Sequence, residues 1–182
     1  RDSSSSRGLG DVYKRQLIIL GLSRPRIVDK IKETSIEVVD MILVLDISSS
    51  MLADDFKPNR LEAVKKTAID FVGSRKSDRI GIIVFAGESF IQCPLTVDKS
   101  VLKSLINEIS VVSKEYDGTA IGMAIANATN RLRKSKVKSK VMVLLSDGSN
   151  NSGQIDPKSA AEIASQYDLS LIHISEPTRR RT

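Results

Sequence analysis

Apolar residues run continuously, rather than alternating with polar ones, in several stretches of the chain. Residues 36–47 and 140–146 are such runs, and residues 80–86 have the composition of a further strand. Continuous hydrophobicity indicates strands that are buried on both faces, as in a parallel sheet. Residues 89–95 predict a short hairpin partner, in which Pro94 suits an edge position.

Amphipathic segments separate these strands. Residues 60–75, 98–110 and 119–135 carry apolar positions at helical spacing, and Asn59 is a plausible N-cap of the first. A last helix is expected from Asp156-Pro157 onward. Strands that alternate with amphipathic helices predict an α/β fold with a doubly wound, mainly parallel sheet and helices on both faces.

The predicted sheet is short of strands. Four strands are expected, whereas a doubly wound sheet usually has five or six, so we expect a domain truncated after the fourth strand. The strand at 140–146 would then be an exposed apolar edge, and the chain as written would aggregate or bind metal poorly.

The two ends of the chain lack the patterning of the middle. Residues 1–16 and 169–182 resemble translated sequencing-adapter runs, so we interpret both as non-native. The histidine, His173, lies in the second run. Residues 17–35 begin with the apolar stretch "LIILGL", which is too short to span a bilayer by itself, and residues 36–168 form the domain. The stretch 17–22 fits either the last turns of a truncated transmembrane helix or a buried strand or helix fragment, and periodicity alone favours neither of these two interpretations.

Composition excludes several classes of function. The chain is 41% hydrophobic and 27% charged, which is ordinary for a soluble domain. Its net charge of +6 is concentrated at the two ends, each of which carries +2, so nucleic-acid binding has little support. The one cysteine, Cys93, allows no disulfide within the chain, and its strand-like context indicates a buried structural thiol.

Polar residues follow two of the predicted strands and precede one helix. Asp46, Ser48 and Ser50 follow the first strand, Thr119 opens a helix, and Asp147 ends the strand at 140–146. Ligands of such sheets bind outside the carboxyl ends of the strands, where the strand order reverses. If the first strand and the strand at 140–146 flank that point, the three loops converge there.

The chemistry of this set is uniform, because every side chain offers oxygen. Oxygen donors suit hard cations, so the expected metal is Mg²⁺, Mn²⁺ or Ca²⁺. A cation held mostly by neutral hydroxyls keeps much of its charge and favours an anionic ligand, such as a partner's Asp or Glu carboxylate. Met51 and Leu52 are candidate contacts to that partner, although packing under the loop is at least as plausible.

These motifs resemble the metal-ion-dependent adhesion site of von Willebrand factor type A domains. Residues 17–167 are similar to the bacterial Bat (aerotolerance) proteins, A subtype, on stretches such as "DRIGIIVFAGESFIQCPLT" and "DGTAIGMAIANATNRL". The resemblance implies that Ser48, Ser50 and Thr119 bind the metal directly. It implies that Asp46 and Asp147 often bind through water. Ser49 departs from the glycine that is common at its position.

The resemblance also implies a setting for the chain. Bat proteins are anchored in the bacterial inner membrane, so 17–22 would end a transmembrane helix, and their partners include sister Bat proteins and AAA-type ATPases. The family favours an extracytoplasmic domain. Basic residues after the apolar run favour the cytoplasm instead by the positive-inside rule: Arg24, Arg26, Lys30 and Lys32.

Three other functions compete with a metal-dependent binding module. A Mg²⁺-dependent phosphohydrolase would use Asp46 as its nucleophile, but Ser48 stands where a second acid is needed. A serine hydrolase lacks a G-x-S-x-G elbow and a native histidine base. In the third alternative, the candidate ligands are only helix caps and turn residues and bind nothing. We therefore expect a binding module rather than an enzyme.

Overall fold

The fold was analysed in a computed structural model, which describes residues 6–22, 38–146 and 150–174. The chain divides into two compact units, residues 1–35 and 36–182. The described part of the first unit is one helix, α1 (Ser6–Leu22). Residues 17–22 are therefore helical, which excludes the buried strand and agrees with either the end of a transmembrane helix or a helix fragment. No helix in the described ranges combines the length and the apolar character needed to cross a membrane.

The second unit is built on a mixed sheet of five strands. Its strands are β1 (Val39–Asp46), β2 (Arg79–Phe85), β3 (Ser89–Thr96), β4 (Ser139–Leu145) and β5 (Leu169–Ile174). Their order across the sheet is β3-β2-β1-β4-β5, and the pairs are parallel except for the antiparallel β2–β3 hairpin. The order reverses between β1 and β4, so the first strand and the strand at 140–146 do flank the point of reversal.

Four helices complete the unit: α2 (Arg60–Ser74), α3 (Lys99–Glu108), α4 (Ile121–Leu132) and α5 (Pro157–Ser165). Three start at a side chain that accepts hydrogen bonds from the first turn. Asn59 accepts from the Glu62 N–H, and Asp98 and Asp156 each accept from two backbone N–H groups. These caps satisfy donors that the first turn of a helix leaves free, which is why the helices begin at these residues.

The continuous apolar runs are explained by two hydrophobic cores, one on each face of the sheet. Alternate residues of β1 pack with α2 and α3 on one face, and the others pack with α4 and α5 on the opposite face. The first set includes Met41, Leu43 and Leu45, and the second includes Ile42 and Val44. The predicted doubly wound α/β class is confirmed, and β1 is held centrally with its carboxyl end at the point of reversal.

The expectation of truncation after the fourth strand is wrong. Strand β5 pairs with β4 in parallel from Lys140↔Leu169 to Leu145↔Ile174. Leu169 is buried and Leu171 packs against the core, whereas Ile172 and Ile174 are about half exposed. The strand at 140–146 is therefore not an exposed edge, so the aggregation and weak metal binding expected from such an edge lose their basis.

The edges of the described sheet are β3 and β5. The interpretation of 1–16 and 169–182 as non-native stays a prediction.

Candidate metal site

Asp46 ends β1 at the point where the strand order reverses. Its side chain is completely buried, with 0% exposure. One carboxylate oxygen, Oδ1, accepts a hydrogen bond from the Ser48 N–H at 2.9 Å, and Oδ2 accepts from the Ser146 hydroxyl at 2.8 Å. The carboxylate is therefore fixed between the loop after β1 and the residue that follows β4.

The loop after β1 brings two hydroxyls together. Ser48 is buried and Ser50 is exposed, and their Oγ atoms lie 2.9 Å apart. A short 3₁₀ helix, Ser49–Leu52, turns the chain here, and the Met51 N–H donates to the Ser48 carbonyl at 3.0 Å. Both hydroxyls therefore lie on the same side of this turn.

Thr119 lies in the loop before α4 and is buried at 4% exposure. Its backbone is held on both sides by one residue: its N–H donates to Asn151 Oδ1 at 2.8 Å, and its carbonyl accepts from the Asn151 N–H at 3.1 Å. Asn150 Oδ1 accepts from the Ile121 N–H at the start of α4. These two asparagines join the loop after β4 to the loop of Thr119.

Asp117 joins the loop of Thr119 to the loop after β1. Its Oδ1 accepts from the backbone N–H groups of Ser49 and Gly118, both at 2.9 Å, and its Oδ2 accepts from the Ser49 hydroxyl. These hydrogen bonds, that from the Ser49 hydroxyl foremost, lower the pKa of the Asp117 carboxyl below its ordinary value. Gly118 has a φ of +133°, and a Cβ there would overlap the Ser152 side chain, so glycine is required.

The structure places four of the five expected ligands in loops that are bonded to one another. Asp46 accepts from the Ser48 N–H, and the Ser48 hydroxyl contacts that of Ser50. The loop of Thr119 is connected to this loop by the hydrogen bonds between Asp117 and Ser49. Asp147, the fifth, lies outside the described residues. Its preceding neighbour, Ser146, is in place and bonded to Asp46.

Sequence reasoning missed several residues that organise this rim. Asp117, Asn150 and Asn151 were not among the candidate site residues. Ser49 was noted only as a departure from the usual glycine, yet its N–H and hydroxyl both bind Asp117. The available signal was the position of Asp117 beside Gly118 and Thr119, because an Asp before Gly and a helix start usually accepts backbone N–H bonds.

The two candidate partner contacts differ in exposure. Met51 is 1% exposed and packs in the core, which corresponds to the packing alternative. Leu52 is 57% exposed beside the serine loop. Leu52 is therefore available to a partner in this conformation, and Met51 is not.

The donor set fits a small hard cation. Asp46 is buried, and among the described residues it forms no ion pair; its hydrogen-bond donors, Ser48 and Ser146, are neutral. A buried carboxylate is costly without a positive partner, which a bound cation supplies. No three His, Cys, Asp or Glu side chains cluster as a metal site within residues 6–22, 38–146 and 150–174, so the candidate site depends on hydroxyls.

The two serine hydroxyls are hydrogen-bonded to each other. The 2.9 Å between Ser48 Oγ and Ser50 Oγ is an ordinary length for such a bond, and either hydroxyl can be the donor. This bond holds the two candidate ligand oxygens next to each other. Both oxygens of Asp46 are engaged and its side chain is inaccessible, which does not favour a phosphohydrolase nucleophile.

A comparison with models of protein families shows the family of this chain. The model of the von Willebrand factor type A (VWA) domain matches residues 40–176, which is most of the sequence. The chain belongs to the VWA family. This is a family of metal-dependent adhesion modules, and the match includes all five candidate ligands.

Solved structures confirm the Bat-like character of this VWA domain. It is similar to BatB from Bacteroides thetaiotaomicron, with 36% identity and a TM-score of 0.69, covering 75% of this chain and 66% of that one. It is similar to an aerotolerance-related membrane protein from Bacteroides fragilis, with 32% identity and a TM-score of 0.69, covering 79% and 74%. Assignment to the A subtype stays a prediction.

Two further relatives bear on length and on metal. A protein from Borreliella burgdorferi is 32% identical over 136 residues, and the aligned region covers 74% of this chain and 40% of that protein. The chain therefore spans less than half of that relative.

The domain is also similar to proximal thread matrix protein 1 from the mussel byssus, with 25% identity and a TM-score of 0.67, covering 76% of this chain and 35% of that one. That protein has been solved with zinc in its metal-ion-dependent adhesion site (MIDAS) motif.

Proposed function

We propose that this VWA domain is a metal-dependent protein-binding module that takes up a partner's Asp or Glu carboxylate. The observation that supports it most is the buried Asp46 carboxylate, which has neutral hydrogen-bond donors and adjoins two converging hydroxyls. Asp46, Ser48, Ser50, Thr119 and Asp147 would hold the ion. The ion would supply a positive charge with a coordination position left for the partner's carboxylate.

The candidate ligands would keep the ion attractive to a carboxylate and leave one side of the site open. The hydroxyls of Ser48, Ser50 and Thr119 bring no negative charge, so a cation bound by them stays attractive to an anion. Ser50 is exposed, whereas Ser48 and Thr119 are buried, so the open side of the site lies toward Ser50. The candidate ligands all offer oxygen, which suits a hard cation, so we propose Mg²⁺, with Mn²⁺ or Ca²⁺ as the alternatives.

Partners and location are also proposals for this chain. The membrane setting of the Bacteroides fragilis relative supports an inner-membrane protein with an extracytoplasmic domain, and sister Bat proteins and an AAA-type ATPase are the partners we propose. Protease treatment of spheroplasts from cells producing the full-length protein tests the side of the membrane. Cleavage of the VWA domain in intact spheroplasts is expected, and protection would contradict the extracytoplasmic location.

The experiment for the proposed function measures metal and carboxylate in turn. Calorimetric titration with Mg²⁺, Mn²⁺ and Ca²⁺ should show binding of a divalent cation to wild type, and none of the three should bind Asp46→Asn. On the Mn²⁺-loaded protein, an aspartate-containing peptide should displace metal-bound water and lower the water-proton relaxation enhancement. The same peptide with Asn in place of Asp is the control. Equal responses to both peptides, or metal binding that survives in Asp46→Asn, would overturn the proposal.

A further inference from the structure

Asp117 forms three hydrogen bonds with one carboxylate, and they reach two separate loops. The Ser49 N–H and the Gly118 N–H donate to Oδ1, each at 2.9 Å, and the Ser49 hydroxyl donates to Oδ2. Ser49 is 68 residues away in the sequence, whereas Gly118 is the next residue. The carboxylate therefore makes a long-range connection as well as a local one.

Both contacts adjoin candidate metal ligands. Ser49 lies between Ser48 and Ser50, and Gly118 immediately precedes Thr119. Asp117 thus fixes the backbone on which three of the hydroxyl ligands are carried. Asn151 holds Thr119 from the opposite side through both backbone groups of that residue.

Asp98 shows what the same hydrogen bonds do when they are purely local. Its Oδ1 accepts from the backbone N–H groups of Ser100 and Val101, and from the Ser100 hydroxyl. Asp98 and Asp117 therefore each accept from two backbone N–H groups and one serine hydroxyl. Asp98 caps one helix, whereas Asp117 ties together two loops that are distant in the sequence.

We propose that Asp117 is a positioning residue that joins the Ser48–Ser50 loop to the Thr119 loop before a cation arrives. This inference depends on the proposed metal site. Neutral hydroxyls are weak ligands, so a site built on them loses affinity if binding must also order two loops. A carboxylate that connects the loops in advance reduces that ordering cost, as do the residues that orient ligands in other metal sites.

In the proposed role, Asp117 holds the two loops by hydrogen bonds and does not bind the metal itself. Substitutions can therefore distinguish this role from that of a ligand. In Asp117→Asn, the amide oxygen can still accept from both N–H groups, and the amide nitrogen can donate to the Ser49 hydroxyl. This variant keeps the connection and loses the negative charge. Asp117→Ala loses both, and Ser49→Ala loses the hydroxyl bond while retaining the backbone one.

The test titrates Mg²⁺ into the full chain at one fixed pH. We expect the dissociation constant to rise about 10- to 100-fold in Asp117→Ala, the range found when groups that orient metal ligands are removed. Asp117→Asn should stay within about threefold of wild type, with Ser49→Ala between the two. Asp98→Ala is the matched control, because it loses an equivalent set of hydrogen bonds and should leave Mg²⁺ affinity unchanged.

Amide hydrogen exchange of the metal-free proteins supplies a second measurement. Asp117→Ala should lose protection at Ser49 and Gly118 while β1 keeps its protection, and Asp117→Asn should keep protection at both amides. Unchanged Mg²⁺ affinity in Asp117→Ala would overturn the inference, as would an equal loss of affinity in Asp117→Asn and Asp117→Ala. If wild type itself binds no Mg²⁺, the proposed function fails. If wild type binds Mg²⁺ and Asp46→Asn does not, the proposed function stands. In that case, a wild-type Mg²⁺ affinity in Asp117→Ala rejects only the positioning role of Asp117.

Discussion

Strand β1 carries a buried aspartate near each end, and the two carboxylates have different surroundings. Asp40, near the amino end, accepts from Arg79 Nε at 2.7 Å and from its terminal nitrogen at 2.5 Å, and also from the Ser135 hydroxyl. Asp46, at the carboxyl end, accepts from a backbone N–H and the Ser146 hydroxyl. Both side chains are 0% exposed.

The difference separates a structural use of a buried charge from a binding use. Arg79 completes the charge balance of Asp40, and this pairing raises the pKa of the guanidinium. At Asp46, the donors leave the negative charge without a compensating side chain among the described residues. One end of the strand is therefore complete within the protein, whereas the other is suited to an external cation.

The largest expected effect comes from removing the positive partner of Asp40. Arg79→Met should lower the free energy of unfolding by about 3 kcal/mol, the low end for a broken buried pair, because the arginine is partly exposed. Urea denaturation measures this loss. Mg²⁺ affinity should stay unchanged, and a weakened affinity would show that the two ends are not independent.

Removing the charge of Asp46 should act in the opposite direction on the metal-free protein. Asp46→Asn relieves an uncompensated buried charge, so we expect its unfolding free energy in EDTA to equal or exceed that of wild type. With Mg²⁺ at 100 times its dissociation constant, wild type should gain about 2.7 kcal/mol and the variant nothing. Thermal unfolding with and without Mg²⁺ measures both values. A clear destabilisation of the variant in EDTA would contradict the comparison.

The two serines that donate to these carboxylates form a matched pair. Ser146→Ala should cost about 2 kcal/mol in EDTA, because a hydrogen bond to a charged group is lost where no cation compensates. Ser135→Ala should cost about 1 kcal/mol, since Arg79 still holds Asp40. Added Mg²⁺ should recover part of the first loss and none of the second. Equal recovery in the two variants would remove the distinction.

The smallest effect is expected on the surface beside the serine loop. Leu52 is exposed, so Leu52→Ser should change the unfolding free energy by less than about 0.5 kcal/mol. Mg²⁺ affinity should also be unchanged, because the side chain carries no ligand. Calorimetric titration and urea denaturation check both points, and a loss of metal affinity would mean that Leu52 supports the loop rather than facing a partner.

The sequence was sufficient wherever hydrophobic pattern and local capping determine structure. The runs that form β1, β2 and β4 and the helix starts at Asn59 and Asp156 are local signals, and the strands and helices lie where they predicted. Strand β5 was missed because residues 169–182 were set aside as foreign. Within "LSLIHI", the backbone pairs with β4, and Leu169 and Leu171 contact the core.

The ligands were easier to predict than the residues that hold them. Asp46, Ser48, Ser50 and Thr119 belong to a spaced motif, so their types and positions carried the signal. The contacts of Asp117 and Asn151 join loops 68 and 32 residues apart, and no local pattern encodes such pairings. They become evident once the parallel strands bring the loop ends to one rim.

The bond between Asp46 and Ser146 has a consequence for the synthesis of the protein. The two residues are 100 positions apart, so a ribosome adding about 5–20 residues per second emits Ser146 about 5–20 seconds after Asp46. Strands β2 and β3 precede β4 in the chain, so β1 can pair on one side while its other edge is still vacant. The candidate metal site can thus be completed only after β4 has been synthesised, and a nascent chain stalled before β4 would be unable to assemble it.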